Sequence, residues 1–112
     1  MCLFCKIAIG EIPSKVLFED ADLLAFHDVA PQAPVHVLVI PKRHLASLAE
    51  AAEADAAILG KLALATRRVA EETGIAASGF RVVANSGADA GQSVHHLHLH
   101  VIGGRAMAWP PG

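Results

Sequence analysis

Four histidines fall within residues 95–100, HHLHLH, and three of them, His96, His98 and His100, alternate with leucines. On a β-strand, residues two apart share a face, so these three imidazoles would stand in one row with Leu97, Leu99 and Val101 turned the other way. His95 falls on the aliphatic side. Same-face neighbours lie roughly 6.6 Å apart and the outer pair roughly 13 Å apart, whereas a zinc–nitrogen bond is about 2 Å long. One metal ion cannot easily collect all three. A row of this length suits an extended anionic ligand, along which imidazoles can donate a proton, accept one or attack.

A second group with chemical capacity opens the chain. Cys2 and Cys5 stand three apart, a spacing that offers two thiolates, half of a tetrahedral zinc shell. Both cysteines lie in a stretch without an apolar leader, and a reducing compartment favours metal binding or free thiols over a structural disulfide.

The elements that must position these groups follow from periodicity and punctuation. Residues 2–9 read as a short helix, ended by Gly10 and the turn at Pro13. VLFED and DLLAFHD read as two strands around an acidic turn at Glu19–Asp22, and Val35–Ile40 as a third, entered after Pro31 and Pro34 and ended by Pro41. From about Leu45 the composition shifts to strong helix formers. Ile58, Leu59, Leu62, Ala65 and Val69 then recur at helical spacing, while Lys61, Arg67, Arg68, Glu71 and Glu72 make a solvated face. Gly74 is placed to end that helix in the left-handed conformation. FRVVAN gives a fourth strand, SGADAGQS a glycine-rich loop, and the histidine segment the last strand. Strands in a run, one long and one short helix and short connections predict a single α+β domain over residues 1–112, with a mostly antiparallel sheet.

Aromatic residues are only 4% of the chain against 54% hydrophobic, so the core must be built from Ala, Val, Leu and Ile. A net charge of −2 without any basic run argues against nucleic acid or an acidic membrane surface as partner. With no stretch of about eighteen apolar residues, a cytoplasmic location is expected.

The pattern at His96, His98 and His100, together with FHDVAPQAPVHVLVIPKRH, VVANSGADAGQSV and the GGR…WPPG tail in that order, resembles the histidine triad (HIT) family of nucleotide hydrolases and transferases. The tail is similar to that of its Hint branch of nucleoside phosphoramidases, here combined with a cysteine pair that many members of that branch lack. The resemblance implies a five-stranded antiparallel sheet with two helices, joined sheet to sheet in a homodimer. It implies hydrolysis of a purine nucleoside monophosphate, of AMP or GMP type, linked through its phosphorus to an amine. His98 would be the nucleophile, forming a covalent nucleotidyl-histidine; His100 would bind the phosphate or protonate the leaving group, with His36 and His96 in support. Ser93, the main chain of Gly91 and Gln92, and the Asn85 amide match positions that serve the phosphate or ribose, and Asp28 matches the carboxylate that accepts both ribose hydroxyls. Without the resemblance, Gly87 and Gly91 read as a hairpin turn. The base would lie among Phe4, Ile7, Phe26 and Val29, an apolar slot that a core would equally explain. Trp109 matches a tryptophan that reaches the partner subunit's leaving-group pocket. No catalytic cofactor is implied. In members with the cysteine pair, structural zinc is completed by the positions of His44 and His96. A dinucleoside polyphosphate hydrolase and a non-enzymatic nucleotide-binding or scaffold protein remain the alternatives.

Overall fold

A computed structural model describes residues 1–112. The elements are α1 (Leu3–Ala8), β1 (Val16–Glu19), β2 (Leu23–His27), β3 (Val35–Pro41), α2 (Ala56–Thr73), β4 (Phe80–Val83) and β5 (Leu99–Gly103). The five strands form one sheet in the order β1-β2-β3-β5-β4, antiparallel at each step. The α+β architecture expected from the sequence is therefore the one observed.

The central strand explains the two-sided core. Every residue of β3 after Val35 is buried, because alternate side chains feed different layers. Val37 and Val39 pack with Val101 beneath Leu62, Ala65 and Val69 of α2, while Leu38 and Ile40 pack with Leu24, Phe26 and Phe4 of α1. The helix α2 ends as its sequence predicts, with Gly74 at φ 80°. No helix is long and apolar enough to cross a membrane.

Two expectations are corrected. The long helix does not start near Leu45: residues 45–55 hold two short 3-10 turns, Leu48–Glu50 and Glu53–Asp55, and α2 begins at Ala56. Helix propensity there yields to tertiary hydrogen bonds. The Leu45 carbonyl accepts the Leu97 N–H, the Ala46 carbonyl accepts the Gln92 amide, and the Ala49 N–H donates to Ser86 Oγ. Nor does the last strand carry all three alternating histidines. Its pairing with β3 ends at Val39–Leu99, and the next position of the same hydrogen-bonding phase, two residues on, is Pro41, which has no N–H to offer a ladder. Only His100 lies in β5; His96 and His98 occupy the bent segment before it, and His95 is exposed.

Candidate active site

The sheet face opposite α2 ends in a cleft of about 420 Å³ between α1, the following connection, the end of β2 and the histidine segment. Phe4, Ile7, Phe26, Val29, Asp28, Ser93, His98 and His100 all line it. Val29 stands fully exposed at the rim. Ile12, Pro13, Ser14, His27, Leu38 and Val94 also line the cleft and were not expected from sequence. Leu38 was readable in retrospect, since it faces His100 across the β3–β5 ladder.

Main-chain groups orient His98 and His36, and His36 in turn orients His100. His98 is 5% exposed and its Nδ1–H donates to the His96 carbonyl at 2.7 Å. Its Nε2 therefore carries the lone pair, on a side chain that lines the cleft and packs edge-on against Phe4 at 5.1 Å between ring centres. The Gln32 N–H donates to His36 Nδ1 at 3.0 Å, so His36 holds its proton on Nε2, 2.9 Å from His100 Nδ1 and 3.4 Å from Asp28 Oδ2. His100 Nδ1 accepts that proton's hydrogen bond, which puts the His100 proton on Nε2. That Nε2 is buried and has no partner in the protein, leaving a donor available to a ligand.

Burial, and then the charges of His98 and His36, push the His100 pKa down to about 4 against the pull of Asp28. His100 is thus a neutral donor at neutral pH. Asp28 closes its own loop, since Oδ1 accepts the Ala30 N–H at 2.8 Å; its carboxylate retains lone pairs for further donors.

His96 faces away from the cleft. It is fully buried, its Nε2–H donates to the Pro41 carbonyl at 2.8 Å, and burial lowers its pKa. Its Nδ1 meets Cys2 Sγ at 3.3 Å, Cys5 Sγ at 3.5 Å and His44 Nδ1 at 3.2 Å. His44 Nδ1 lies 3.6 Å and 3.3 Å from the two sulfurs, which are 3.1 Å apart. A tetrahedron with ligand bonds of about 2.0–2.3 Å has edges of about 3.3–3.8 Å, so these four donors could surround one ion. Asp28, His36 and His100 also converge, but His36 Nε2 is protonated because its other nitrogen already accepts a hydrogen bond. That nitrogen is a donor rather than a ligand.

Besides His36 and His96, four expected site residues lie off the cleft. The Gln92 side chain braces its own loop, accepting the Gly87 N–H and donating to the Ala46 and Val94 carbonyls. Gly91, at φ 79°, makes the turn that its sequence context suggested. Asn85, beyond the end of β4, does not line the cleft. Trp109 is 80% exposed and lies under the Arg81 guanidinium, 5.8 Å from its ring centre.

Comparison with known proteins agrees with this geometry. The HIT domain family model matches residues 9–107. An uncharacterised HIT-like protein of Synechococcus elongatus is 51% identical over 98% of this chain and 96% of its own length. The adenylylsulfatase HINT1 of Arabidopsis thaliana is also 51% identical, over 98% of this chain and 76% of its own. Among solved structures, a HIT family hydrolase from Legionella pneumophila superposes with a TM-score of 0.98 at 47% identity, each chain covered completely.

Proposed function

The chain belongs to the HIT domain family, and from that premise we propose that it hydrolyses purine nucleoside phosphoramidates of the AMP–amine type through a nucleotidyl-histidine on His98. The observation that carries this reading is the His98 Nδ1–H bond to the His96 carbonyl, which leaves Nε2 as an unprotonated nucleophile at the wall of the cleft beside the unpartnered His100 donor.

In the first step the His98 Nε2 lone pair bonds to the α-phosphorus and the P–N bond breaks, the departing nitrogen taking a proton from water in the open cleft. In the second, a water oxygen bonds to phosphorus, its proton passes to the hydroxide left by the first step, and the P–Nε2 bond breaks to release the nucleoside monophosphate. His100 Nε2–H and the Ser93 hydroxyl donate to the phosphoryl oxygens as charge builds. Phe4, Phe26, Ile7 and Leu38 offer the base an apolar slot, and Asp28 the ribose a carboxylate.

Zinc suits the Cys2, Cys5, His44 and His96 donor set. It would supply structural cross-linking of α1 to the catalytic segment, and His96, with both nitrogens committed, takes no chemical role. A second copy of the chain suits the edge strand β4, which exposes Phe80 and Val82.

A second substrate reading is favoured by the Arabidopsis relative's name: adenylyl sulfate carries its leaving group on the same phosphorus, and sulfate departs without a proton, which suits a neutral His100. The test is release of a fluorescent amine from an adenosine phosphoramidate, with adenylyl sulfate and a dinucleoside polyphosphate as competing substrates. His98→Ala should lose all turnover while still binding AMP; retained turnover would sink the proposal.

A further inference from the structure

We propose that Arg105 and the main chain of Gln32 are positioning elements that set the tautomer of His36 and, through it, decide whether His100 presents a donor or a lone pair to the phosphate.

Two binary choices are linked across the pair. With Gln32 N–H donating to His36 Nδ1 at 3.0 Å, His36 must donate from Nε2 to His100 Nδ1 at 2.9 Å, and His100 must carry its own proton on Nε2. Were His36 protonated on Nδ1 instead, two N–H groups would face each other at the Gln32 contact. His36 Nε2 would then accept, His100 Nδ1 would donate, and a lone pair on His100 Nε2 would be aimed at anionic phosphoryl oxygens. The unpartnered nitrogen of His100 is useful to an anion in the first arrangement only.

The Gln32 N–H serves this purpose only if residue 32 is held in place. The guanidinium of Arg105 does so from outside through the following peptide, donating from Nη2 at 3.1 Å and Nε at 3.3 Å to the Gln32 carbonyl and so fixing the other side of the same Cα. The tail is pressed against the same loop one residue earlier. Gly104 has φ 89°, and a Cβ there would come within 2.9 Å of Pro34 Cβ, so the close approach requires glycine. Arg105 itself is exposed and lines no part of the cleft. It acts on the reaction through Gln32, His36 and His100 and touches no substrate.

The inference rests on the phosphoramidase reading for its kinetic readout and stands apart from it in its spectroscopic one. In protein labelled with nitrogen-15 at histidine, long-range ring correlations report which nitrogen of His36 carries the proton. Native protein should show Nε2–H alone. Arg105→Ala should show a mixture of tautomers, with kcat for the adenosine phosphoramidate down about 10- to 100-fold and KM changed less than about threefold. Arg105→Lys, which keeps a charged donor, should recover part of both. Gln32→Pro, lacking the N–H, should shift the tautomer, and Gln32→Ala, keeping it, should not. A native His36 protonated on Nδ1 overturns the proposal. So does Arg105→Ala with reduced kcat but an unchanged tautomer, which is the result a merely structural role would give. Native protein without turnover defeats the functional reading, and the tautomer measurement still decides this one.

Discussion

Replacing His100 by Gln tests the electrostatic description of the cleft without any substrate. In the unfolded chain a histidine titrates near 6.5; in the folded protein burial and the neighbouring His98 and His36 hold His100 down to about 4. Below pH 6.5 the unfolded state therefore takes up a proton that the native state refuses, and native stability falls as the pH drops, levelling out near the folded value of about 4. Above pH 6.5 both states are neutral and the group contributes nothing to the slope. One proton changes stability by about 1.4 kcal/mol per pH unit, so His100 should cost the native protein about 2.5 kcal/mol between pH 7.5 and pH 4.5. Water at the partly exposed ring trims this to about 1–2.5 kcal/mol. Gln can still accept the His36 Nε2–H and does not titrate. Urea unfolding at a series of pH values should give a native curve that steepens downward relative to the variant across that window. His96, whose pKa burial also lowers, and Asp20 and Asp55, whose carboxylates are held low by main-chain N–H bonds, titrate in both proteins and cancel in the difference. Two curves that stay parallel within about 0.5 kcal/mol from pH 7.5 to 4.5 would refute the assignment of His100 as a neutral, desolvated donor.

Phe4→Ala should lower both stability and nucleotide affinity. Phe4 is 6% exposed and packs edge-on to Phe26 and His98, so about 2–4 kcal/mol of stability and about tenfold in AMP affinity should be lost, read by urea unfolding and AMP titration. Gly103→Ala should cost about 1–3 kcal/mol, because its Cβ would stand 2.7 Å from Ile75 Cδ1 and 3.2 Å from the Gly79 carbonyl. Adding Ile75→Val, which removes that Cδ1, should return part of the loss in the same assay, and no recovery would show that the backbone contact dominates. Native protein purified without a histidine tag should carry about one zinc per chain by elemental analysis and Cys5→Ser should carry none, and a native protein without zinc would rule out the structural metal.

The fold was legible wherever burial imposed a period. The continuous apolar run of β3 and the helical spacing of Ile58, Leu62, Ala65 and Val69 are direct images of a strand buried on both faces and a helix buried on one. The start of α2 was not, because the alanine-rich stretch from Leu45 has its main-chain groups taken by Leu97, Gln92 and Ser86, partners distant in sequence. The break in the histidine strand had a local cause, the proline at position 41, yet it acts across the sheet and becomes visible only once the β3–β5 register is known.

Inside the site, residue types were legible from the spacing, their expected division of labour came only with the family resemblance, and the groups that orient them were not legible. Three imidazoles are held in three different ways here, and in each case a main-chain group makes the choice. The Pro41 carbonyl holds His96 Nε2–H and turns Nδ1 toward the sulfurs; the His96 carbonyl holds His98 Nδ1–H and frees Nε2; the Gln32 N–H turns His36 into a donor toward His100. A neutral imidazole is donor at one nitrogen and acceptor at the other, so a single hydrogen bond suffices to fit the same side chain for the proposed part of ligand, nucleophile or proton-bearing support. Main-chain groups leave no signature of side-chain type. This is why Gln32 escapes a reading that looks for chemistry in side chains, whereas the main-chain N–H of Gln92, expected at a phosphate, donates to the Gly87 carbonyl and its side chain braces the same loop. Substitutions that alter a main-chain N–H or its restraint, at Gln32 and Arg105, should therefore disturb the reaction in ways that loss of an exposed side chain alone does not explain.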